Sequence, residues 1–170
     1  MTQDYKKADT RDHGGGIDAA IAQYGGTRND WIDLSTGINP NPYPLPSFQS
    51  YHWTQLPDRA AFDAFDAAAR KFWQVPDNAE IIPASGASGI IAMLPSVLKG
   101  ATAVIPEPTY NEHRAAYLAH GWEMADKGDV KTIVHPNNPD GHLYSALDLT
   151  AQTCVIDESF CDVCPEQSMM

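Results

Sequence analysis

The chain has 170 residues, 43% of them hydrophobic, enough for one ordinary globular domain with a buried core and too few for two complete ones. Its formal charge is -11, from 22 acidic against 11 basic residues, and no basic cluster exceeds Lys6-Lys7, which disfavours nucleic acid or an anionic membrane surface as a partner. No apolar run approaches the roughly 20 residues of a membrane helix and the N-terminus carries no secretory pattern, so a cytoplasmic chain with a small-molecule ligand is the expectation.

Taken in chain order, the first 12 residues read as a polar, mobile arm. Gly14-Gly15-Gly16 precede a helical pattern over 17–24 that Gly25-Gly26 end. A brief strand is expected over 31–34. Pro40, Pro42, Pro44, Pro46 and Pro57 then argue for an extended, irregular crossing segment. Over 60–73 the apolar residues Phe62, Phe65, Ala69 and Phe72 recur at three- and four-residue spacing, with Asp63, Asp66 and Arg70 opposite, which predicts an amphipathic helix.

From there strands alternate with helices. A strand is expected at 81–82, a helix over 88–98, a strand over 101–105 and a helix over 109–120. Strands near 122–124 and 132–134, a short helix over 145–151 and a strand over 153–157 complete the pattern. It predicts an α/β fold: three layers, a mostly parallel sheet with helices on both faces. Ligands of such sheets gather beyond the carboxyl ends of the strands, where Ser85-Gly86-Ala87-Ser88, Tyr110, Asn138 and Asp157 all fall.

Each of these motifs has a chemical reading beside a bland one. Small residues in Ser85-Gly86-Ala87-Ser88-Gly89 let backbone N–H groups at a helix start approach an anion such as a phosphate, although a plain capped turn would look the same. Tyr110, in Pro106-Glu107-Pro108-Thr109-Tyr110, could stack on a planar ring or simply pack in the core. Asn137-Asn138-Pro139 is a good turn on any account. Asp157 at a strand tip is costly to bury unless it meets a donor, and a protonated pyridine nitrogen would be one; a helix cap is the structural alternative. Cys161 and Cys164 form a C-x-x-C, but a structural zinc site usually has four ligands and Cys154 lies in an expected strand, so no metal site is expected.

The order of these motifs resembles fold-type I pyridoxal-phosphate aminotransferases and their decarboxylase relatives. His13-Gly14-Gly15-Gly16-Ile17, Tyr24-Gly25-Gly26, the run from Trp31 through Asp33-Leu34-Ser35-Thr36-Gly37-Ile38-Asn39 to Pro40, and Leu56-Pro57-Asp58 narrow the resemblance to the threonine-phosphate decarboxylase family of cobalamin biosynthesis. It spans residue 13 to about residue 162. The resemblance implies pyridoxal 5'-phosphate as cofactor, with Gly86, Ala87 and Ser88 around its phosphate, Tyr110 on the ring, Asn138 at the phenolic oxygen and Asp157 at the ring nitrogen. Gly37, Ile38 and Asn39 would line the substrate side, with His13 near the substrate's phosphate or carboxylate.

The same resemblance implies a phosphorylated amino acid as substrate, a homodimer for the full-length form, a small-domain segment with the substrate-side loop over 13–58 and an incomplete cofactor domain over 59–170. Phe160 and Leu56 stand where many aminotransferases have tyrosines, which suits the decarboxylase branch. The stretch between Met124 and Lys131 looks short for the family. Such enzymes hold the cofactor through a lysine beyond the strand-tip acid, and no lysine follows Asp157, so the expectation is the front half of a catalyst that alone lacks its catalytic residue. A histidinol-phosphate type of aminotransferase and a non-catalytic fragment are the alternatives.

Overall fold

The computed structural model describes residues 14–170. They fall in two compact units, one ending at Gln55 and the other running from Leu56 to Met170.

The first unit contains helix α1 (Ile17–Tyr24), a 3-10 turn at Arg28–Asp30 and a one-turn helix α2 (Tyr51–Thr54). Helix α1 has the bounds expected from its flanking glycines; the Gly25 N–H bonds the Ile21 carbonyl at 2.8 Å as the helix ends. The strand expected over 31–34 does not form. An isolated segment has no ladder to join, and its shape comes instead from side-chain turns: the Asp33 carboxylate accepts from the Ser35 N–H at 2.9 Å and hydroxyl at 2.6 Å. Those bonds hold the Asp33 pKa below its ordinary value.

The second unit opens with α3 (Arg59–Trp73), whose N-cap Asp58 accepts from the Ala61 N–H at 2.9 Å. The segment expected as a strand at 81–82 is irregular, with Ile82 exposed. Helix α4 (Ala87–Val97) follows, then β1 (Thr102–Val104), α5 (Asn111–Ala119), β2 (Glu123–Met124), β3 (Val130–Val134) and β4 (Thr153–Asp157). The helix expected over 145–151 contracts to a 3-10 turn, Ala146–Asp148, because Ser145 and Asp148 close a capping box within one turn.

The four strands form one parallel sheet in the order β2-β1-β3-β4. Strand β3 lies inside the sheet and is near-continuously buried, as a strand covered on both faces must be: Val130, Thr132 and Val134 are buried on one side and Ile133 on the other. The core gathers Ala103, Tyr117, Trp122 and Val130, with Leu98, Ile105, Met124 and Val155 against them. Tyr117 and Trp122 meet edge to face at 5.1 Å, and the Trp122 indole N–H reaches the Pro95 carbonyl, tying α4 to the strand β2 edge. One glycine matters at the start of β1. Gly100 has φ 142°, and a Cβ there would lie 2.6 Å from that of Asp129, whose carboxylate caps the N–H groups of Ala101 and Thr102.

Candidate functional site

Parallel strands with adjacent carboxyl ends place three loops side by side. Val134 of β3 pairs with Asp157 of β4, so the loop 135–141 leaves its strand at the level of Asp157, and the His135 N–H bonds the Asp157 carbonyl at 2.8 Å. The loop after β1 is sewn to it by Asn137. This buried side chain accepts from the Thr109 hydroxyl at 2.6 Å and donates to the Pro108 carbonyl at 2.9 Å and to Asp140 at 2.8 Å. Asn137 is thus the structural member of the Asn-Asn pair. Asn138, half-buried, makes no side-chain hydrogen bond within the described residues.

Asp157 sits at the tip of β4 with its side chain 12% exposed. One carboxylate oxygen, Oδ2, accepts from His113 Nε2 at 2.9 Å; the other accepts from the Ser159 N–H at 3.0 Å and from the Ser159 hydroxyl. Burial by itself raises the Asp157 pKa, but the bonds from His113 and Ser159 outweigh it and leave the carboxyl below its usual value. Asp157 is therefore a partly buried carboxylate held by three hydrogen bonds, not a helix cap: the next 3-10 turn starts only at Cys161.

Tyr110 is the residue before α5, half-buried, and its ring meets the edge of the His113 ring at 6.3 Å and 82°. The structure thus brings Tyr110, the Asn137-Asn138 turn and Asp157 together along one sheet edge. Gly86, Ala87 and Ser88 form the start of α4 in the same unit; Gly86 has φ 81°, a conformation that favours glycine, and no side chain caps this helix. Its first N–H groups keep the anion-binding potential read from the sequence. The motif differs from expectation in following an irregular segment rather than a strand. Gly37, Ile38 and Asn39 lie exposed in the first unit, where Asn39 accepts from the Asn41 N–H at 2.9 Å. His13 lies outside the described residues.

Two features escaped the sequence reading. His113 is one; its signal was the i, i+4 spacing to Tyr117, which puts both on the sheet-facing side of α5. The other is a cluster of His135, Glu158 and Cys161, whose ligand atoms lie within 4.8 Å of one another. These atoms already have work. His135 Nδ1 accepts from the Tyr144 N–H, its Nε2 donates to the Gln167 carbonyl, and Glu158 accepts from the Ser168 hydroxyl and the Met169 N–H. Burial pushes the Cys161 thiol up to about 11, so it stays protonated. The cluster fastens residues 167–169 to the sheet edge; a metal at His135 would have to break one of its two bonds.

Comparison with known proteins bears on this site. No family profile matches the chain. It is 34% identical to a threonine-phosphate decarboxylase of Sinorhizobium sp. and 31% identical to one of Pseudomonas aeruginosa, over 92% and 93% of its own length. It covers 53% and 52% of those proteins, so the chain spans about half the length of the curated relatives it matches. Among solved structures it resembles the histidinol-phosphate aminotransferase from Clostridium acetobutylicum, with a TM-score of 0.54 at 22% identity, covering 63% of this chain and 40% of that one. The chain shares its α/β fold with that aminotransferase.

Proposed function

Because the chain is related along nearly its whole length to threonine-phosphate decarboxylases, we propose that it is the cofactor-gripping part of a pyridoxal-phosphate-dependent carboxy-lyase. The substrate would be L-threonine O-3-phosphate and the product (R)-1-aminopropan-2-ol phosphate, for cobalamin biosynthesis. The carrying observation is Asp157: a partly buried carboxylate, its pKa held low at the tip of β4, beside a turn in which the Asn138 side chain makes no hydrogen bond among the described residues.

The donor set fits the cofactor. A pyridinium N–H needs an anionic acceptor, and Asp157 Oδ2, which accepts only from His113 whereas Oδ1 already accepts two bonds from Ser159, can take one more. A phenolic oxygen needs a donor, which Asn138 has. A phosphate needs converging N–H groups, and the uncapped start of α4 at Gly86, Ala87 and Ser88 offers them. Tyr110 offers a ring face beside Asp157. When bound, pyridoxal phosphate supplies an electron sink for charge developing at the substrate's α-carbon.

The chain's own residues then have distinct tasks. The anion of Asp157 would hold the ring nitrogen in its protonated form, the form in which the ring is the stronger electron sink. Asn138 and Tyr110 would hold the ring, and the start of α4 would hold its phosphate. On the substrate side, Gly37, Ile38 and Asn39 would shape the subsite and His13 would orient the carboxylate or phosphate, so that the bond to be broken stands perpendicular to the ring. Lyase chemistry, rather than amino-group transfer, follows from which bond is held there. A homodimer in the cytoplasm belongs to the same reading.

Titrating the chain with pyridoxal phosphate and following ring absorbance tests the site. Asp157→Asn should bind with roughly tenfold or greater loss of affinity, the scale of a charge-assisted hydrogen bond. Equal affinity in wild type and Asp157→Asn would remove Asp157 as the ring partner. In a protein carrying this chain within a full-length form, assay of aminopropanol phosphate against keto acid decides the reaction; keto acid alone would mean an aminotransferase. There His13→Ala should raise KM and let keto product appear, whereas unchanged kinetics would make His13 structural.

A further inference from the structure

The motif Cys161-Asp162-Val163-Cys164 has no part in the cofactor site, and the fold gives it a defined shape. Cys161 opens a 3-10 turn, Cys161–Val163, and Cys164 both ends that turn and precedes the next one, Pro165–Gln167. The Cys164 N–H bonds the Cys161 carbonyl at 2.9 Å, a closure that brings the first and last Cα atoms of the turn within about 7 Å. Disulfides usually span Cα separations of roughly 4.4–6.8 Å, so the backbone is suited to one. The Cys161 side chain is turned the right way: its Sγ leans toward residue 164 and lies 3.7 Å from the Cys164 carbonyl oxygen. Cys154, on β4, directs its Sγ to the Ala151 carbonyl instead.

We propose that Cys161 and Cys164 form a thiol–disulfide exchange site whose reagent is a small-molecule disulfide such as glutathione disulfide. The two thiols differ in access. Cys161 is 5% exposed, while Cys164 is half-buried, so a reagent from solvent meets Cys164 first. As its thiolate, Cys164 attacks one sulfur of the reagent; a bond forms to Cys164 Sγ, the reagent's S–S bond breaks and one half leaves as a thiolate. Cys161 then gives up its proton and attacks Cys164 Sγ, and the second half leaves. The leaving thiolates take up the protons that the two cysteines released, so the protein pair is oxidised by two electrons and the reagent is reduced to two thiols. Burial, with Glu158 and Cys164 beside it, keeps the Cys161 thiol protonated, so no thiolate stabilises the reduced pair, the feature that makes other C-x-x-C sites strongly oxidising. The new bond would brace the turn between Glu158 and the residues it holds, Ser168 and Met169. The site is independent of the cofactor reading.

The test uses the 170-residue chain carrying Cys154→Ser, which leaves only the pair, at low protein concentration. Equilibrated with reduced and oxidised glutathione and quenched in acid, the chain should be lighter than its reduced form by two hydrogen atoms, with a peptide map that joins Cys161 to Cys164. A fold that builds the site favours the bond beyond what short spacing alone does. The equilibrium constant for disulfide formation should therefore be about tenfold larger in the native chain than in the same chain in urea. By linkage, the oxidised chain should unfold at a higher urea concentration than the reduced one. Brief exposure to glutathione disulfide before the quench should trap the first adduct on Cys164.

Equal equilibrium constants in the native and the urea-unfolded chain would overturn the proposal, because the fold would then contribute nothing. So would a glutathione adduct that persists on Cys164 in the native chain, which would put Cys161 out of reach, or a disulfide that joins two chains. A first adduct on Cys161 would refute the assigned order of attack. Should Cys154→Ser not fold, wild type carries the same measurements by peptide mapping, and a bond from Cys154 to either partner in the native chain would refute the assignment of the pair.

Discussion

Helices α3 and α5 have opposite fates for opposite reasons. Helix α3 carries the cleaner apolar stripe, yet Phe62, Phe65 and Phe72 are 52%, 49% and 68% exposed and only Ala69 of the stripe is buried. Helix α5 has a mixed sequence with a histidine and a tyrosine where aliphatic residues would be expected, yet Tyr117 is 1% exposed. Amphipathic periodicity says which face wants cover, not whether cover is present. Burial is decided by the partner surface: α5 lies on a parallel sheet whose Thr132 and Asp157 match its polar tips, while α3 presents its stripe to solvent.

The sharpest way to break this contrast is truncation of each stripe. Tyr117→Ala should lower stability by about 3–5 kcal/mol, since it opens a cavity beside Trp122 and leaves Thr132 without its partner. Phe65→Ala should change stability by no more than about 0.5 kcal/mol. Chemical denaturation of both variants gives the two numbers, and a loss of comparable size in Phe65→Ala would mean that α3 is covered in solution.

Solubility offers the converse. An exposed aromatic stripe and a short edge strand favour self-association, so sedimentation of the wild-type chain should depend on concentration, and Phe62→Lys with Phe65→Lys should reduce that dependence. A compact monomer at every concentration would contradict it. On α5 the matching experiment is Tyr117→Phe, which keeps the packing and removes the hydroxyl pair, for a loss of about 1 kcal/mol.

Acid should single out the α5 contact. Because the folded pKa of Asp157 is depressed, its contribution is fully present above the unfolded carboxyl value of about 3.9 and is lost as pH falls through the lower, folded value. The stability gap between wild type and Asp157→Asn should therefore be constant near neutrality and close below about pH 4. A gap that widens in acid would invert the assigned shift. The smallest effect is expected at the start of β1, where Asp129→Asn loses charge-assisted bonds to Ala101 and Thr102; the melting temperature should drop slightly, with no change in pyridoxal phosphate binding.

Motif order and local chemistry were legible in the linear chain wherever structure is made by near neighbours. The glycines around α1, the apolar run of β4 ending at Asp157 and the Asn-Asn-Pro turn all read correctly, because a helix stop, a turn or a short apolar run involves residues a few positions apart. The strands expected at 31–34 and 81–82 did not, since a strand exists only where another lies beside it, and neither segment joins the sheet of β1 to β4.

Residue types and their spacing were enough to nominate Asp157, Tyr110, Asn138 and the start of α4, and the family resemblance carried by the motifs implied a cofactor for them. Distance along the chain hid the rest. That Asn137 is spent on Pro108 and Thr109 while the Asn138 side chain has no hydrogen bond among the described residues, that His135 and Glu158 fasten residues 167–169, and that His113 reaches Asp157 from 44 positions away follow from parallel β1, β3 and β4 ending side by side. Hydrogen bonds between loops depend on that adjacency, and adjacency is a property of the packed sheet.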